Sequence, residues 1–377
     1  MDLSALETPC LVLDRGKLEK NIASINQRMA TLGVNLRPHG KTAKNIDIVK
    51  MALDGQPGDI TVSTLKEADY YFSHGIIDMV YAVGVAPVKL DHIAGLIKKG
   101  ANITILLDSI EQAKFAAAKA QEHGLTLPVL IEIDCDGHRS GVTLDDPLLV
   151  EIGRLLHREN GVTLEGVLTH AGGSYQCQSV DEIRAIAETE RHTAVACSEV
   201  LRQNGLPCPI VSVGSTPTAN FAEDLAGVTE VRAGVYMFYD LVMAGLGVCK
   251  ENDIAISVLT SVIGHQKRKN WVITDAGWMA LSRDRGTASQ KVDQGYGTVW
   301  TLKGDPLEDL IVSATNQEHG IISDRSGGAL AWDSFAIGSM VRILPNHACA
   351  TAAMYDRYYV TDGSTEITDV WHRVNGW

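Results

Sequence analysis

Short apolar runs of strand type alternate with stretches of helical period through the first 245 or so residues of this 377-residue chain. The runs lie at 9–13, 35–38, 60–63, 79–83, 103–107, 129–133, 164–170, 210–213 and 229–233, and amphipathic stretches at 17–29, 65–73, 110–123, 147–157 and 180–203 separate several of them. Repeated strand–helix units demand a parallel sheet covered by helices. Its closed form is the (β/α)8 TIM barrel, an α/β fold with eight strand places. Nine runs compete for those places, so one belongs elsewhere, and the pattern alone does not say which. From about residue 246 the helical periods fade. Short strands are expected at 254–263, 271–274, 297–301, 310–315, 340–344 and 358–361, separated by Gly, Asp and Asn turns. They predict a second, smaller, mostly antiparallel β domain.

Function enters at RPHGKT, residues 37–42, between the run at 35–38 and a helical stretch expected over 43–53. Lys41 thus stands where a barrel strand ends, the place where such barrels carry their chemistry. A lysine there can condense with an aldehyde. Later strand ends carry EIDCDGHRSG with His138 and Arg139, THAGGSY with His170 and Tyr175, SVGSTPT with Gly214, Ser215 and Thr216, and EVRAGVYMFYD with Arg232, Gly234, Val235 and Tyr236. A Gly-Ser-Thr turn before a helix offers amides and hydroxyls to a phosphate; a plain capping turn reads the same way. Lysine, phosphate cradle and imidazole together suit pyridoxal 5'-phosphate. Lys41 would hold the aldehyde carbon, Gly214, Ser215 and Thr216 with the amides of Gly234 and Val235 the phosphate, and His170 the ring face.

A second constellation is ILPNHACAT, residues 343–351. In an extended segment His347 and Cys349 point to one face, half of a zinc site built from nitrogen and sulfur; a capping histidine and a buried cysteine are the alternative. NQEHG, with Gln317 and His319, and DAGWMALSRDRGT, with Arg283 and Arg285, read either as polar turns or as surroundings of that site. The remaining bounds are exclusions. A net charge of −13 opposes a general nucleic-acid or anionic-membrane binder. No run of about 18 apolar residues is present, and MDLSALETP lacks the features of a signal peptide. Seven cysteines without a CxxC pair suggest reduced thiols in a cytoplasm.

These motifs, with TPCLVLD and VSTLKEA, run in order along nearly the whole chain, which resembles the fold-type III pyridoxal phosphate enzymes of the alanine-racemase-like class. Within it the chain is similar to the branch of D-threonine aldolase and D-serine dehydratase, and its longer runs to the D-threo-3-hydroxyaspartate dehydratases. The resemblance implies that the first run pairs into the β domain and that the barrel begins with the lysine strand. The expected domains are residues 15–245 and residues 1–14 with 246–377. It further implies a homodimer, Lys41 as Schiff-base lysine, His170 stacked on the ring, Arg139 near the ring hydroxyl, Tyr175 beside the ring, phosphate binding by the SVGST and RAGVY runs including Tyr236, and His347 and Cys349 as metal ligands. Aldolases of the branch carry aspartate where Cys349 stands. Carboxylate suits Mn2+ or Mg2+, thiolate suits Zn2+, so this pattern is the dehydratase one. The expected reaction is loss of water from a D-3-hydroxy amino acid, 3-hydroxy-D-aspartate or D-serine, then release of keto acid and ammonia. Arg283 or Arg285 would meet a β-carboxylate. Aldol cleavage, racemisation with Tyr296 as second base, and a non-catalytic cofactor-binding role are the rivals.

Overall fold

A computed structural model describes residues 1–53 and 59–377 and divides into two compact units. The strands are β1 (Cys10–Asp14), β2 (Asn35–Pro38), β3 (Ile60–Val62), β4 (Asp78–Gly84), β5 (Asn102–Leu107), β6 (Leu127–Ile133), β7 (Val162–Thr169), β8 (Ile210–Val213) and β9 (Glu230–Ala233). They continue as β10 (Ile256–Gln266), β11 (Trp271–Thr274), β12 (Thr298–Thr301), β13 (Pro306–Thr315), β14 (Gly320–Asp324), β15 (Met340–Leu344), β16 (Arg357–Thr361) and β17 (Asp369–His372).

The first unit, residues 24–234 with 376–377, holds β2 to β9 as an all-parallel sheet in the order β2-β9-β8-β7-β6-β5-β4-β3. A parallel bridge between His39 and Thr61 joins its two ends, so the eight strands form the expected (β/α)8 barrel. β3 and β9 are buried throughout; β3 carries Ile60 and Val62, while β9 alternates the polar Glu230 and Arg232 with Val231 and Ala233. Val80, Leu106, Leu130 and Leu168 form one buried cluster on successive strands. Helices supply the cover. Val180–Gln203 buries Ile183, Ala187, Ala194, Cys197 and Leu201, a stripe at helical spacing. One helix, Leu90–Lys98, was not anticipated, and Ile46–Leu53 begins later than the expected 43.

Between the apolar layers runs a buried polar chain. Arg37 Nε donates to Glu230 Oε2 at 2.8 Å and Nη1 to Asp78 Oδ1 at 2.8 Å. Ser212 Oγ donates to Glu230 Oε1 at 2.7 Å and accepts from Arg232 Nε at 2.8 Å, while Arg232 Nη2 donates to the Thr169 carbonyl. Glu230 and Arg232 are two apart on β9 and share a face.

The second unit, residues 1–23 with 235–375, is a nine-stranded sheet ordered β11-β14-β13-β12-β15-β10-β1-β16-β17. β10 also pairs with β11, which closes six of these strands into a ring. A register shift between Val262 and Gly264 bends β10 so that it serves both neighbours. β1 pairs antiparallel with β10 and parallel with β16, so the surplus run does join the β unit. β14 and β17 add to the expected strands. The units divide at 23/24 and 234/235 instead of 14/15 and 245/246. Hydrogen bonding accounts for the difference. Asn21 Nδ2 donates to the carbonyls of Met237 and Asp253, and the amides of Leu241 and Val242 donate to the carbonyls of Pro345 and Asn346.

Removing one member of a buried ion network strands its partners and costs about 3–5 kcal/mol. Arg37→Met, which removes the cation bonded to both Glu230 and Asp78, is expected to lose stability of that order in chemical denaturation; a loss below about 1 kcal/mol would show that the network does not brace the barrel.

Candidate active site

In the barrel unit, the two residues before Lys41 are the point of closure. His39 N donates to Ala233 O and Gly40 N to Thr61 O, both at 2.8 Å. A side chain at Gly40 would meet the Tyr71 ring at 2.6 Å from Cε2, and Tyr71 Oη donates to Gly40 O at 2.8 Å. Lys41 follows with its side chain exposed. Its charge acts on both His39 and His170. His170 shares a hydrogen bond of 2.9 Å between Nδ1 and Gly214 O, and its ring stands 6.2 Å from that of Tyr175 at 46°. Burial pushes its pKa down to about 3, with Arg232, Lys41 and Arg139 acting in the same direction, so the imidazole is neutral. Arg139 lies on an exposed turn and reaches Glu132 Oε1 at 3.4 Å.

The SVGST run leaves β8, the seventh barrel strand. Gly214 has φ +131°, and a Cβ there would strike the Arg232 carbonyl. Ser215 caps helix Thr216–Phe221 in a reciprocal box with Thr218, and its Oγ lies 2.9 Å from Ser174 Oγ. The Ser215 hydroxyl is thus committed to the fold. Thr216 Oγ1 is buried without a partner, the orphan group expected of a cradle that waits for an anion. A Cβ on Gly234 would lie 2.5 Å from Thr42 Oγ1. In the β unit, Tyr236 Oη is likewise buried without a partner. In the barrel unit, the Thr216 hydroxyl beside the Gly214 turn fits a phosphate.

A buried carboxylate absent from the sequence reading organises this region. Glu190 Oε1 accepts from Ala171 N at 2.9 Å and Gly214 N at 3.0 Å, tying the His170 loop to the Gly214 loop. Burial raises its pKa, against the pull of those amides, the Thr218 hydroxyl and Arg232. Its sequence signal was an acid within the apolar stripe of Val180–Gln203.

The metal candidates lie in the β unit, and their local geometry differs from the expected one. They do not share an extended segment. His347 is extended (φ −134°, ψ 108°) and caps helix Ala348–Ala352, whose first turn holds Cys349. The turn brings them together: Cys349, Asp284 and Asp240 all act on His347. Burial disfavours its charge, yet the Asp284 and Cys349 hydrogen bonds with Asp240 push its pKa up to about 11. Nδ1 of His347 lies 2.7 Å from Asp284 Oδ2. Asp240 is fully buried. Its Oδ1 accepts from Met243 N and its Oδ2 from Ala348 N, each at 3.0 Å. An imidazole, a thiol and nearby carboxylates form a donor set suited to zinc. Asp240 and Asp284 were not singled out in sequence; an Asp before the apolar LVMAG is a cap signal that marks the first.

Arg283 and Arg285 flank Asp284. Arg285 is engaged, 2.5 Å from Asp293 Oδ2 and 5.0 Å over the Tyr296 ring. Arg283 lies 4.8 Å over Trp278, and no carboxylate pairs with it among the described residues. Gln317 and His319 occupy an exposed turn, with Gln317 Nε2 3.3 Å from Glu318 Oε1.

Residues 13–241 match the N-terminal domain of alanine racemase, and residues 255–361 match the serine dehydratase domain. The chain is 50% identical to D-threo-3-hydroxyaspartate dehydratase of Delftia sp. (strain HT23) over 100% of this chain and 99% of that protein. It is 32% identical to D-serine dehydratase of Dictyostelium discoideum over 97% and 96%. The Delftia dehydratase structure superposes with a TM-score of 0.96, covering 100% of both chains at 50% identity. A cysteine-to-alanine mutant of a D-threo-3-hydroxyaspartate dehydratase, in its metal-free form, superposes equally well (TM-score 0.96) at 49% identity and full coverage of both chains.

A neutral, half-buried His170 makes barrel stability depend on pH. The unfolded imidazole takes up a proton near 6.5 and the folded one only near 3. Its contribution is complete above pH 6.5 and is lost as pH falls towards 3. Denaturation midpoints of the cofactor-free protein should fall across that window, and fall less in His170→Gln; identical slopes would show that His170 titrates normally.

Proposed function

Because the chain belongs to the family that joins an alanine racemase N-terminal domain to a serine dehydratase domain, we propose that it is a pyridoxal phosphate- and zinc-dependent dehydratase of D-3-hydroxy amino acids. Its substrate is 3-hydroxy-D-aspartate or D-serine, and its products are a keto acid and ammonia. The observation that carries this reading is the His347–Cys349 pair at a helix start, a nitrogen–sulfur donor set in a chain whose barrel presents Lys41.

Bound at Lys41, pyridoxal phosphate supplies an electron sink for the charge left on the α-carbon; zinc supplies Lewis acidity for departure of the β-hydroxyl. The remaining work falls to this chain's own groups. Lys41 would hold the cofactor's aldehyde, and its amine is the base at hand for the α-proton. His170 meets the ring as a neutral imidazole, and Arg139 and Tyr175 flank it. Gly214, Thr216, Gly234, Val235 and Tyr236 hold the phosphate, the orphaned hydroxyls of Thr216 and Tyr236 donating to it and Ser215 acting through its main chain. His347 and Cys349 hold the metal. A β-carboxylate needs a cation, and Arg283 is available where Arg285 is bound to Asp293, with Gln317 and His319 as peripheral contacts. The barrel is therefore the cofactor domain and the β unit the metal domain. A homodimer accords with the resemblance, and a cytoplasmic location with seven cysteines that form no disulfide.

Incubation with D-serine, D-threonine and the 3-hydroxyaspartate isomers is expected to yield ammonia, in a manner abolished by Lys41→Ala and by chelation and restored by zinc. Glycine and an aldehyde in place of ammonia would establish aldol cleavage and sink the dehydratase reading. Arg283→Gln should lower kcat/KM for 3-hydroxy-D-aspartate at least tenfold relative to D-serine, the scale of a lost charged hydrogen bond, and Arg285→Gln much less. An unchanged preference in Arg283→Gln removes that assignment.

A further inference from the structure

An imidazole ligates through one nitrogen, and the group bonded to the other decides which one. Nδ1 of His347 lies 2.7 Å from Asp284 Oδ2. A carboxylate only accepts, so Nδ1 keeps its proton, and Nε2 is the nitrogen left to ligate a cation, which would displace the Nε2 proton. The carboxylate is held independently of the histidine. Asp284 Oδ1 accepts from Gly286 N at 2.9 Å, and Asp284 N donates to Ser282 Oγ at 3.0 Å. The loop approaches closely because residue 286 is glycine; a Cβ there would lie 2.6 Å from Val242 Cγ2. Three residues after Asp284, Thr287 Oγ1 donates to Asn346 Oδ1 at 2.6 Å, a second cross-link beside His347. Asp240 is not an alternative for this task, since its two oxygens serve the amides of Met243 and Ala348.

We propose that Asp284 is a positioning residue for the metal site: it fixes the Nδ1–H tautomer and ring orientation of His347 and strengthens Nε2 as a zinc donor, without ligating the ion itself. The inference rests on the metal reading of His347 and Cys349. It divides the DAGWMALSRDRGT loop into separate tasks, with Asp284 serving the metal ligand and Arg283 the substrate.

The test is zinc affinity of the pyridoxal phosphate-loaded full chain, measured by competition with a chromophoric chelator. Asp284→Ala should weaken zinc binding about 10–100-fold. Asp284→Asn should weaken it less, because the carboxamide oxygen still accepts from Nδ1. Melting temperature of the zinc-free protein and the visible cofactor absorbance should match the parent in both. Parent-like affinity in Asp284→Ala overturns the proposal, and if that variant fails to fold, parent-like affinity in Asp284→Leu, which also lacks an acceptor, does so. Loss of zinc in Asp284→Asn as complete as in His347→Ala overturns it too, since Asp284 would then be a ligand. His347→Ala and Cys349→Ala binding zinc as tightly as the parent would instead refute the metal reading itself.

Discussion

Two backbone hydrogen bonds of 2.8 Å, from His39 N to Ala233 O and from Gly40 N to Thr61 O, close the barrel immediately before Lys41. Strand β2 is thereby held by the last strand of the barrel on one side and the next strand on the other. The lysine leaves the sheet at a point that both ends of the barrel must agree on. A side chain on an open edge would inherit the mobility of that edge, whereas one emerging from the closure has its backbone fixed from two directions. Tyr71, packed on Gly40 and bonded to its carbonyl, removes the remaining freedom.

Closure has an electrostatic counterpart. Asp78, Arg37, Glu230, Ser212 and Arg232 form one hydrogen-bonded run through the barrel interior, ending on the Thr169 carbonyl. Acids and bases alternate along it, so no charge is left unpaired in a low-dielectric layer. Desolvation holds His39 and His170 neutral, and the positive charges of Arg232 and Lys41 act in the same direction. A neutral imidazole can meet a flat ring without adding a third positive charge.

The strand–helix alternation was readable because burial on both faces forces continuous apolar runs in the strands and spaced ones in the helices. Helix Leu90–Lys98 escaped because its buried Leu90, Ile93, Ala94 and Leu96 are spread among polar residues in a short span. The ninth run found its place only through the resemblance, since a five-residue apolar strand suits either sheet. His347 and Cys349 were found as residues through an incorrect geometry: two-residue spacing means one face in a strand, but here an N-cap and a first helical turn bring them together. Ser215 looked like a ligand and caps a helix; Thr216 beside it keeps the free hydroxyl. Asp284 acts on a residue 63 positions away, and no local pattern encodes such a partnership.

Two buried carboxylates do the same task in the two units. Glu190 gathers the amides of Ala171 and Gly214, and Asp240 those of Met243 and Ala348. Glu190 therefore joins the loops of Ala171 and Gly214, and Asp240 caps its own helix Leu241–Gly245 and ties it to the start of helix Ala348–Ala352. Such bonds are about twice as strong as neutral ones where the acceptor is charged. Burial raises the pKa of both, so each is held at a desolvation cost that main-chain donors offset. A neutral glutamine or asparagine would accept the same amides but bring two donors of its own into a space with few acceptors. An acceptor-only side chain is what a crossing of loop amides requires. That requirement explains why an acid, and not an apolar residue, interrupts the buried stripe of helix Val180–Gln203.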